Sequence, residues 1–260
     1  MQTITSRKNP RITHMKKLGA SREYRQTQGE FLCDGFKLLQ EALKNGARIR
    51  TVLYCGEPET DLPESAEIIP VSRDVIEYVS PMKNPQNILF SCAVEPAAGS
   101  LPAAGRFLVL DGIQDPGNVG TILRGADAFG MDGVILTGDC ADLYNPKTVR
   151  ATMGAVFRQK TAVMDLTALA AVKRGGIRFY GAALHRDSKD VRQIGRNNCA
   201  VVIGSEGRGI SPEVLALCDE TVVIPMLPRC ESLNAAAAAS VIMWELVRET
   251  LPGEGTQWQS

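Results

Sequence analysis

The chain has 260 residues, 29 Lys and Arg against 29 Asp and Glu, and an apolar fraction of 44%. At roughly 100–200 residues per domain, that is one large domain or two small ones with a proper core, and it excludes disorder, collagen and coiled coil as descriptions of the whole. No apolar run approaches the ~18 residues of a membrane span, and no apolar block follows the basic start, so no membrane segment or secretory leader is expected.

In chain order, the first 25 residues carry Arg7, Lys8, Arg11, Lys16, Lys17, Arg22 and Arg25 against Glu23 alone. That cationic arm reads either as a phosphate-contacting RNA surface or as a solvated amphipathic helix. The spacing of Ile12, Met15 and Leu18 predicts a helix over 10–18. A strand at 30–33 follows, then a helix from Phe36 to Leu43 that Gly46 can end, then strands at 49–54, 68–71 and 88–93. Residues 1–95 thus form a small α/β unit, and the Pro-, Ala- and Gly-rich stretch over 96–105 reads as a linker to a domain at 106–260.

Beyond the linker the order becomes regular. Strands at 107–110, 134–137, 160–164, 177–184, 200–204 and 221–224 alternate with helices at 119–129, 146–153, 166–173, 212–217 and 233–250. Short apolar strands in this order imply an α/β fold with a parallel sheet covered on both faces. Its site is expected at the strands' carboxyl ends, in loops 111–118, 138–146, 204–211 and 225–233. Seven scattered cysteines (Cys33, Cys55, Cys92, Cys140, Cys199, Cys218 and Cys230) include no C-x-x-C pair, and His14 and His185 complete the set of soft ligands. No metal site is expected; the thiols read as buried apolar groups of a reducing, cytoplasmic compartment.

Three loops carry chemistry. In DPGNVGTILR, Asp115 and Pro116 begin a turn, Gly117 permits positive φ and Asn118 can cap the next helix. Gly120 leaves its first turn bare for a ligand or another chain, and Arg124 falls roughly on the cap's face. A guanidinium there suits an RNA phosphate, although a surface arginine on a well-capped helix has the same look. In IGSEGRGIS, Gly204, Gly207 and Gly209 follow an apolar strand, but too late in the chain for a dinucleotide fingerprint. Glu206 among them repels a pyrophosphate and favours a cation or a ligand hydroxyl, which argues against NAD and for a cofactor with positive charge. In the last loop, Ser232 is a natural cap for a slim helix over 235–239, and Ser232 and Asn234 adjoin the same sheet edge.

Taken together, DPGNVGTILR, IGSEGRGIS, and IPM followed by SLNAAAA resemble the three signature motifs of the SpoU-type RNA 2′-O-ribose methyltransferases of the SPOUT superfamily, over roughly 106–250. More loosely, SRKNPRI and EFLCDGFKLLQEAL resemble the L30e-like RNA-binding domain that many members carry. The resemblance implies a C-terminal sheet threaded into a deep trefoil knot, an exception to the rule against threaded loops. It implies S-adenosylmethionine held by Gly204, Ser205, Glu206, Gly207, Gly209, Ile224, Met226, Ser232, Leu233 and Ala235, with backbone contacts from Gly204, Ile224 and Leu233. It casts Asn118, Arg124, Glu206, Ser232 and Asn234 as catalytic, in a homodimer whose partner subunit completes each site. The N-terminal domain inclines the substrate to large-subunit ribosomal RNA over tRNA. One departure is Asn87, in PMKNPQNILFSC, where many relatives have a glycine-bearing turn; it leaves linker geometry and RNA subclass open.

Methyl transfer to a ribose hydroxyl requires in-line alignment and stabilisation of alkoxide character. A guanidinium does not give up its proton at neutral pH, so Arg124 is expected to hold the target phosphate while Asn118, Ser232 and Asn234 orient the ribose. Glu206 either balances a sulfonium or positions Arg124. Two other classes are weighed. A Rossmann-type enzyme needs a glycine fingerprint after the strand at 107–110, where DGIQDPGNVG lacks the spacing. A non-catalytic RNA-binding relative would have lost Arg124 or Asn234, and both are present.

Overall fold

The computed structural model describes residues 3–58, 61–94, 101–185, 187–227, 229 and 232–251. Residues 96–100 of the expected linker lie outside them. The chain divides into two units: residues up to 98 with 115–124 and 141–158, and the remainder.

The first unit is built on a four-stranded sheet ordered β1-β4-β2-β3, with β1 at Glu30–Asp34, β2 at Ile49–Tyr54, β3 at Glu67–Pro70 and β4 at Ile88–Ala93. β4 runs antiparallel to β1 and β2, and β3 parallel to β2. Four helices accompany it: α1 (Pro10–Ala20), α2 (Arg22–Gln28), α3 (Phe36–Lys44) and α4 (Arg73–Val79). The period-2 alternation of the strands separates two cores. Leu32, Leu53 and Leu89 pack with Ile12, Met15, Leu18, Val75, Ile76 and Val79. Phe31, Cys33, Val52 and Phe90 pack with Leu39 and with Val149 from the 141–158 segment.

Local chemistry sets the helix ends. Asn9 Oδ1 accepts the Arg11 N–H and Pro10 occupies the first turn of α1, while Ser21 ends α1 and its Oγ accepts the Tyr24 N–H to start α2. Gly29, at φ 59°, closes α2. The helix period over 10–18 predicts neither α2 nor α4, each only seven residues long.

Arg25 departs from the expected cationic surface. It is 4% exposed, its Nε and Nη2 donate to Asp142 Oδ2 at 3.0 and 2.5 Å, and its Nη1 donates to the Leu18 carbonyl at 2.6 Å. A guanidinium buried among these partners joins α2 to the 141–158 segment and is unavailable to RNA. That role is structural.

The second unit holds a seven-stranded, wholly parallel sheet ordered β7-β6-β5-β10-β8-β11-β9. The strands are β5 (Arg106–Asp111), β6 (Gly133–Thr137), β7 (Thr161–Val163), β8 (Arg178–Ala182), β9 (Lys189–Asp190), β10 (Cys199–Gly204) and β11 (Glu220–Val223). Helices α5 (Pro116–Ala128), α6 (Pro146–Ala151), α7 (Leu166–Arg174), α8 (Pro212–Leu215) and α9 (Ala235–Val247) complete the chain, with α6 and the start of α5 belonging to the first unit. The apolar runs are core strands: Phe107, Val109, Ile135, Phe179, Ala200 and Val202 bury one face against Leu169 of α7. β10 sits inside, between β5 and β8, so the sheet order turns back beside it and opens a crevice at the carboxyl ends.

Four expectations at helix starts do not hold. Asp115, not Asn118, caps α5: its Oδ1 accepts the Asn118 N–H at 2.7 Å and its carbonyl accepts the Val119 N–H, so Asn118 lies inside the first turn. Gly117 takes no positive φ there. Gly120 is not bare to a ligand, because a Cβ on it would lie 2.5 Å from both Ala151 Cβ and the Thr148 carbonyl; α6 occupies that space. At α9 the cap is Asn234, whose Oδ1 accepts from Ala236 and Ala237 at 3.0 and 3.2 Å, and not Ser232.

Removing the Arg25 side chain would strand Asp142 with its charge half-committed. Arg25→Ala is expected to cost about 3–5 kcal/mol, as for other broken buried pairs, read from urea unfolding.

Candidate active site

At the carboxyl ends of β8, β10 and β11 lies a cavity of about 420 Å³. Its wall is built by loop 204–209, by 224–226 after β11 and by 232–235 before α9, with an apolar floor of Ile203, Ile210, Leu215 and Val222. Strand-end loops distant in sequence meet here because parallel strands deliver all their carboxyl ends to one edge.

The glycine loop has a physical reason for two of its three glycines. A Cβ on Gly204 would lie 2.1 Å from the Gly209 carbonyl carbon and 2.2 Å from the Ile210 nitrogen. Ser205 and Gly209 exchange backbone hydrogen bonds of 3.1 and 2.9 Å, and Gly209 turns the chain at φ 68°. Gly207 faces open space and stands off the cavity wall. Asp111, buried at the end of β5, anchors the loop's far end, its Oδ2 accepting the Ser211 N–H at 2.6 Å. Asp111 is not among the expected site residues; its signal in the sequence is a carboxylate closing the apolar strand FLVLD.

Of the ten positions proposed for a cofactor, all except Gly207 line this one cavity. Ala183, His185, Arg208 and Ala238 also line it, outside the ten expected positions. Glu206 and Arg208 are exposed members, which places charge of both signs on the loop. Asn234 spends its Oδ1 on the α9 cap, next to Ser232, Leu233 and Ala235 of the wall. Asn118, half-buried, and Arg124, exposed, stand on α5 within the first unit.

The basic arm is less cationic than its composition. Arg7 is paired with Asp74 and Arg11 with Glu67, while Lys16 Nζ donates to the Tyr78 carbonyl at 2.6 Å. Lys8, Lys17 and Arg22 remain exposed, and Lys17 lies 5.4 Å from the Tyr24 ring centre. Cations interleaved with tyrosines suit a nucleic-acid strand, since they serve both phosphates and bases.

The described cysteines behave as apolar groups. Cys33, Cys92, Cys140 and Cys199 are buried, Cys55 and Cys218 half-buried, and Cys230 lies outside the described residues. Burial pushes the Cys199 and Cys218 thiols up to about 11. Among the described residues no helix is long and apolar enough to cross a membrane.

A parallel sheet with a cavity of this size at its strand ends is the build of an α/β enzyme that binds a small-molecule cofactor. The SpoU rRNA Methylase family model matches residues 105–244, and the MRM3-like substrate binding domain matches residues 9–89. The 23S rRNA (guanosine(2553)-2′-O)-methyltransferase RlmP of Bacillus subtilis is 32% identical, covering 95% of this chain and 99% of its own. The 23S rRNA (uridine(2479)-2′-O)-methyltransferase of Streptomyces viridochromogenes is 33% identical, over 96% and 93%. An AdoMet-bound rRNA methyltransferase from Sinorhizobium meliloti superposes with a TM-score of 0.86 at 28% identity, over 96% and 99% of the two chains. The SpoU methyltransferase AviRb of Streptomyces viridochromogenes, in complex with AdoMet, does so at 0.81 and 29%, over 93% and 98%. The chain belongs to the SpoU rRNA methylase family.

Gly204→Ala must displace backbone, so a loss of roughly 1–3 kcal/mol is expected on chemical unfolding, against less than about 0.5 kcal/mol for Gly207→Ala. In the folded protein Cys199 and Cys218 are expected to resist a maleimide at pH 7 and to react once urea is added, as mass spectrometry would show.

Proposed function

We propose that the chain transfers a methyl group from S-adenosylmethionine to a ribose 2′-hydroxyl of large-subunit ribosomal RNA. The observation that carries this is the single cavity lined by nine of the ten motif positions. Family membership supports the chemistry, and the two bacterial relatives quoted above, both named for 23S rRNA, support the substrate. One is named for a guanosine and the other for a uridine, so the base does not carry over.

The residues present fit the cofactor. The cavity lies within the ~300–1,000 Å³ of small-molecule sites. Ile203, Ile210 and Val222 offer an apolar slot for adenine, and backbone groups at 204, 224 and 233 can hold its polar edge. The Cβ-free cradle at Gly204 keeps the loop backbone close to the ligand. Glu206 supplies the negative charge that a sulfonium or an α-ammonium prefers. Bound there, the cofactor supplies an electrophilic methyl group on positively charged sulfur.

In this reading Arg124 grips the phosphate of the target nucleotide and lowers the cost of alkoxide character at its 2′-oxygen. Asn118 orients the ribose. Ser232 presents its hydroxyl from the cavity wall, and Asn234 fixes that wall by capping α9 while turning its amide toward the ribose. The exposed cations of the first unit, Lys8, Lys17 and Arg22, track the RNA backbone. The MRM3-like region is the substrate-binding domain, the enzyme is a homodimer, and it works in the cytoplasm.

The test is transfer of labelled methyl from S-adenosylmethionine to purified 23S, 16S and transfer RNA, followed by mapping of the modified ribose. Label in 23S RNA alone is expected; label in tRNA alone would overturn the substrate. Arg124→Lys is expected to lower kcat by about 10²-fold, because a point charge replaces a planar fork, with calorimetric cofactor affinity unchanged. Near-normal turnover would remove Arg124 from its role. Reversing Lys8, Lys17 and Arg22 to Glu is expected to raise the RNA KM and flatten its salt dependence, leaving cofactor affinity alone.

A further inference from the structure

A second cavity, of 150 Å³, lies wholly within the first unit, between the start of α3, Gln86, Arg150 in the last turn of α6 and Met153 just beyond that helix. At ~30 Å³ per water it has the room of about five waters, which suits one planar ring system and not a whole nucleotide.

Its polar lining is locked in place. Ser80 Oγ donates to Asp34 Oδ2 at 2.6 Å, and the Gln86 N–H donates to Oδ1 at 3.3 Å. Burial raises the pKa of the Asp34 carboxyl, while these two bonds and the charge of Arg150 oppose the rise. Gln86 Oε1 accepts the Phe36 N–H at 2.9 Å, which commits its amide oxygen and leaves Nε2 as the donor. Gly35 makes that bond possible, because a Cβ there would lie 2.6 Å from Oε1. Leu38 and Met153 add apolar surface, and Met153 sits at φ 50°, a conformation long side chains rarely adopt and one that gathers at ligand sites.

The charges sort what can enter. A phosphate inside would face the Asp34 carboxylate, whereas the exposed cations Lys37 and Arg150 favour one at the mouth. A neutral ring inside with a phosphate outside is a nucleotide unit of an RNA strand. Guanine alone sets an acceptor, O6, beside two donors, N1–H and N2–H, on its pairing edge. A carboxylate takes the two donors and an amide NH₂ serves O6.

We propose that this cavity holds an unpaired guanine of the RNA substrate, with Asp34 accepting from N1–H and N2–H, Gln86 Nε2 donating to O6, and Lys37 and Arg150 on its phosphate. This rests on the reading of the chain as an RNA methyltransferase and adds a base-specific contact to it. α6 joins the cavity to α5, since Arg150 directly precedes Ala151, whose Cβ fills the space at Gly120, between Asn118 and Arg124.

The experiment is fluorescence anisotropy of the full chain with 5′-labelled UUUGUUU and UUUAUUU, without methyl donor. The guanine heptamer is expected to bind about fivefold tighter or more, the yield of one good bidentate contact. Asp34→Asn should bring the ratio within about twofold, as should Gln86→Glu, which keeps the acceptor Phe36 needs and removes the donor. Lys37→Ala with Arg150→Ala should weaken both heptamers and preserve the ratio. A wild-type ratio near one, or a ratio unchanged in the variants that fold, overturns the proposal. Methyl transfer to 23S RNA is assayed on the same samples. Transfer without guanine preference refutes the cavity's role alone; guanine preference without transfer refutes the methyltransferase reading alone.

Discussion

Between Gly204 and the Gly209–Ile210 peptide, backbone meets backbone at a separation that leaves no room for a Cβ. Two hydrogen bonds between Ser205 and Gly209 hold that approach, and the buried Asp111 carboxylate fastens its far end at Ser211. Because the loop folds on itself so tightly, it stands up as a wall at the end of β10 and leaves the apolar ends of β8, β10 and β11 open as a floor. Any side chain at Gly204 would push the wall outward and deform the cavity. Asp111 is the less obvious half of this device. A buried carboxylate at the end of an apolar strand is costly unless it is hydrogen-bonded, and here the Ser211 N–H meets it at 2.6 Å.

A similar economy of side chains shapes α5. Gly120 admits α6 and Gly125 admits Met243 of α9, whose Cε would lie 2.6 Å from an added Cβ. The helix that carries Asn118 and Arg124 is thus gripped through its glycines. The 141–158 segment adds Val149 to the core of the N-terminal sheet and Asp142 to the Arg25 pair. Residues 1–95 do not make that unit alone, and a truncation at the linker would expose Val149 and strand Asp142. Point substitutions at the surface are the cleaner probe of RNA contact.

Electrostatics distinguish the two cavities. The larger has a carboxylate on an exposed loop beside an apolar floor, a setting for a cationic ligand of cofactor size. The smaller has a buried carboxylate with cations outside, a setting for a neutral donor-rich ring tethered to an anion. The smaller cavity, with its buried carboxylate, selects by the cost of burying the wrong charge, more than by attraction to the right one.

What the sequence determined by itself is the alternation of buried strands and helices, because parallel strands covered on both faces must be apolar throughout. Strand β10, expected at 200–204, runs Cys199–Gly204 between two parallel neighbours; in the mixed first sheet, β2 and β4 also fall on the expected residues, 49–54 and 88–93. The strand-end loops were equally legible, since glycine and proline at those places have few other uses. Only the tertiary structure decided which neighbouring residue caps a helix, Asp115 over Asn118 and Asn234 over Ser232. Several residues there have the right chemistry, and the direction from which the chain arrives chooses among them. It also decided the existence of α2 and α4, too short to be stable without the sheet beneath them. It buried Arg25, placed β10 inside the sheet and filled the space at Gly120, because each depends on partners far along the chain, which local periodicity cannot register.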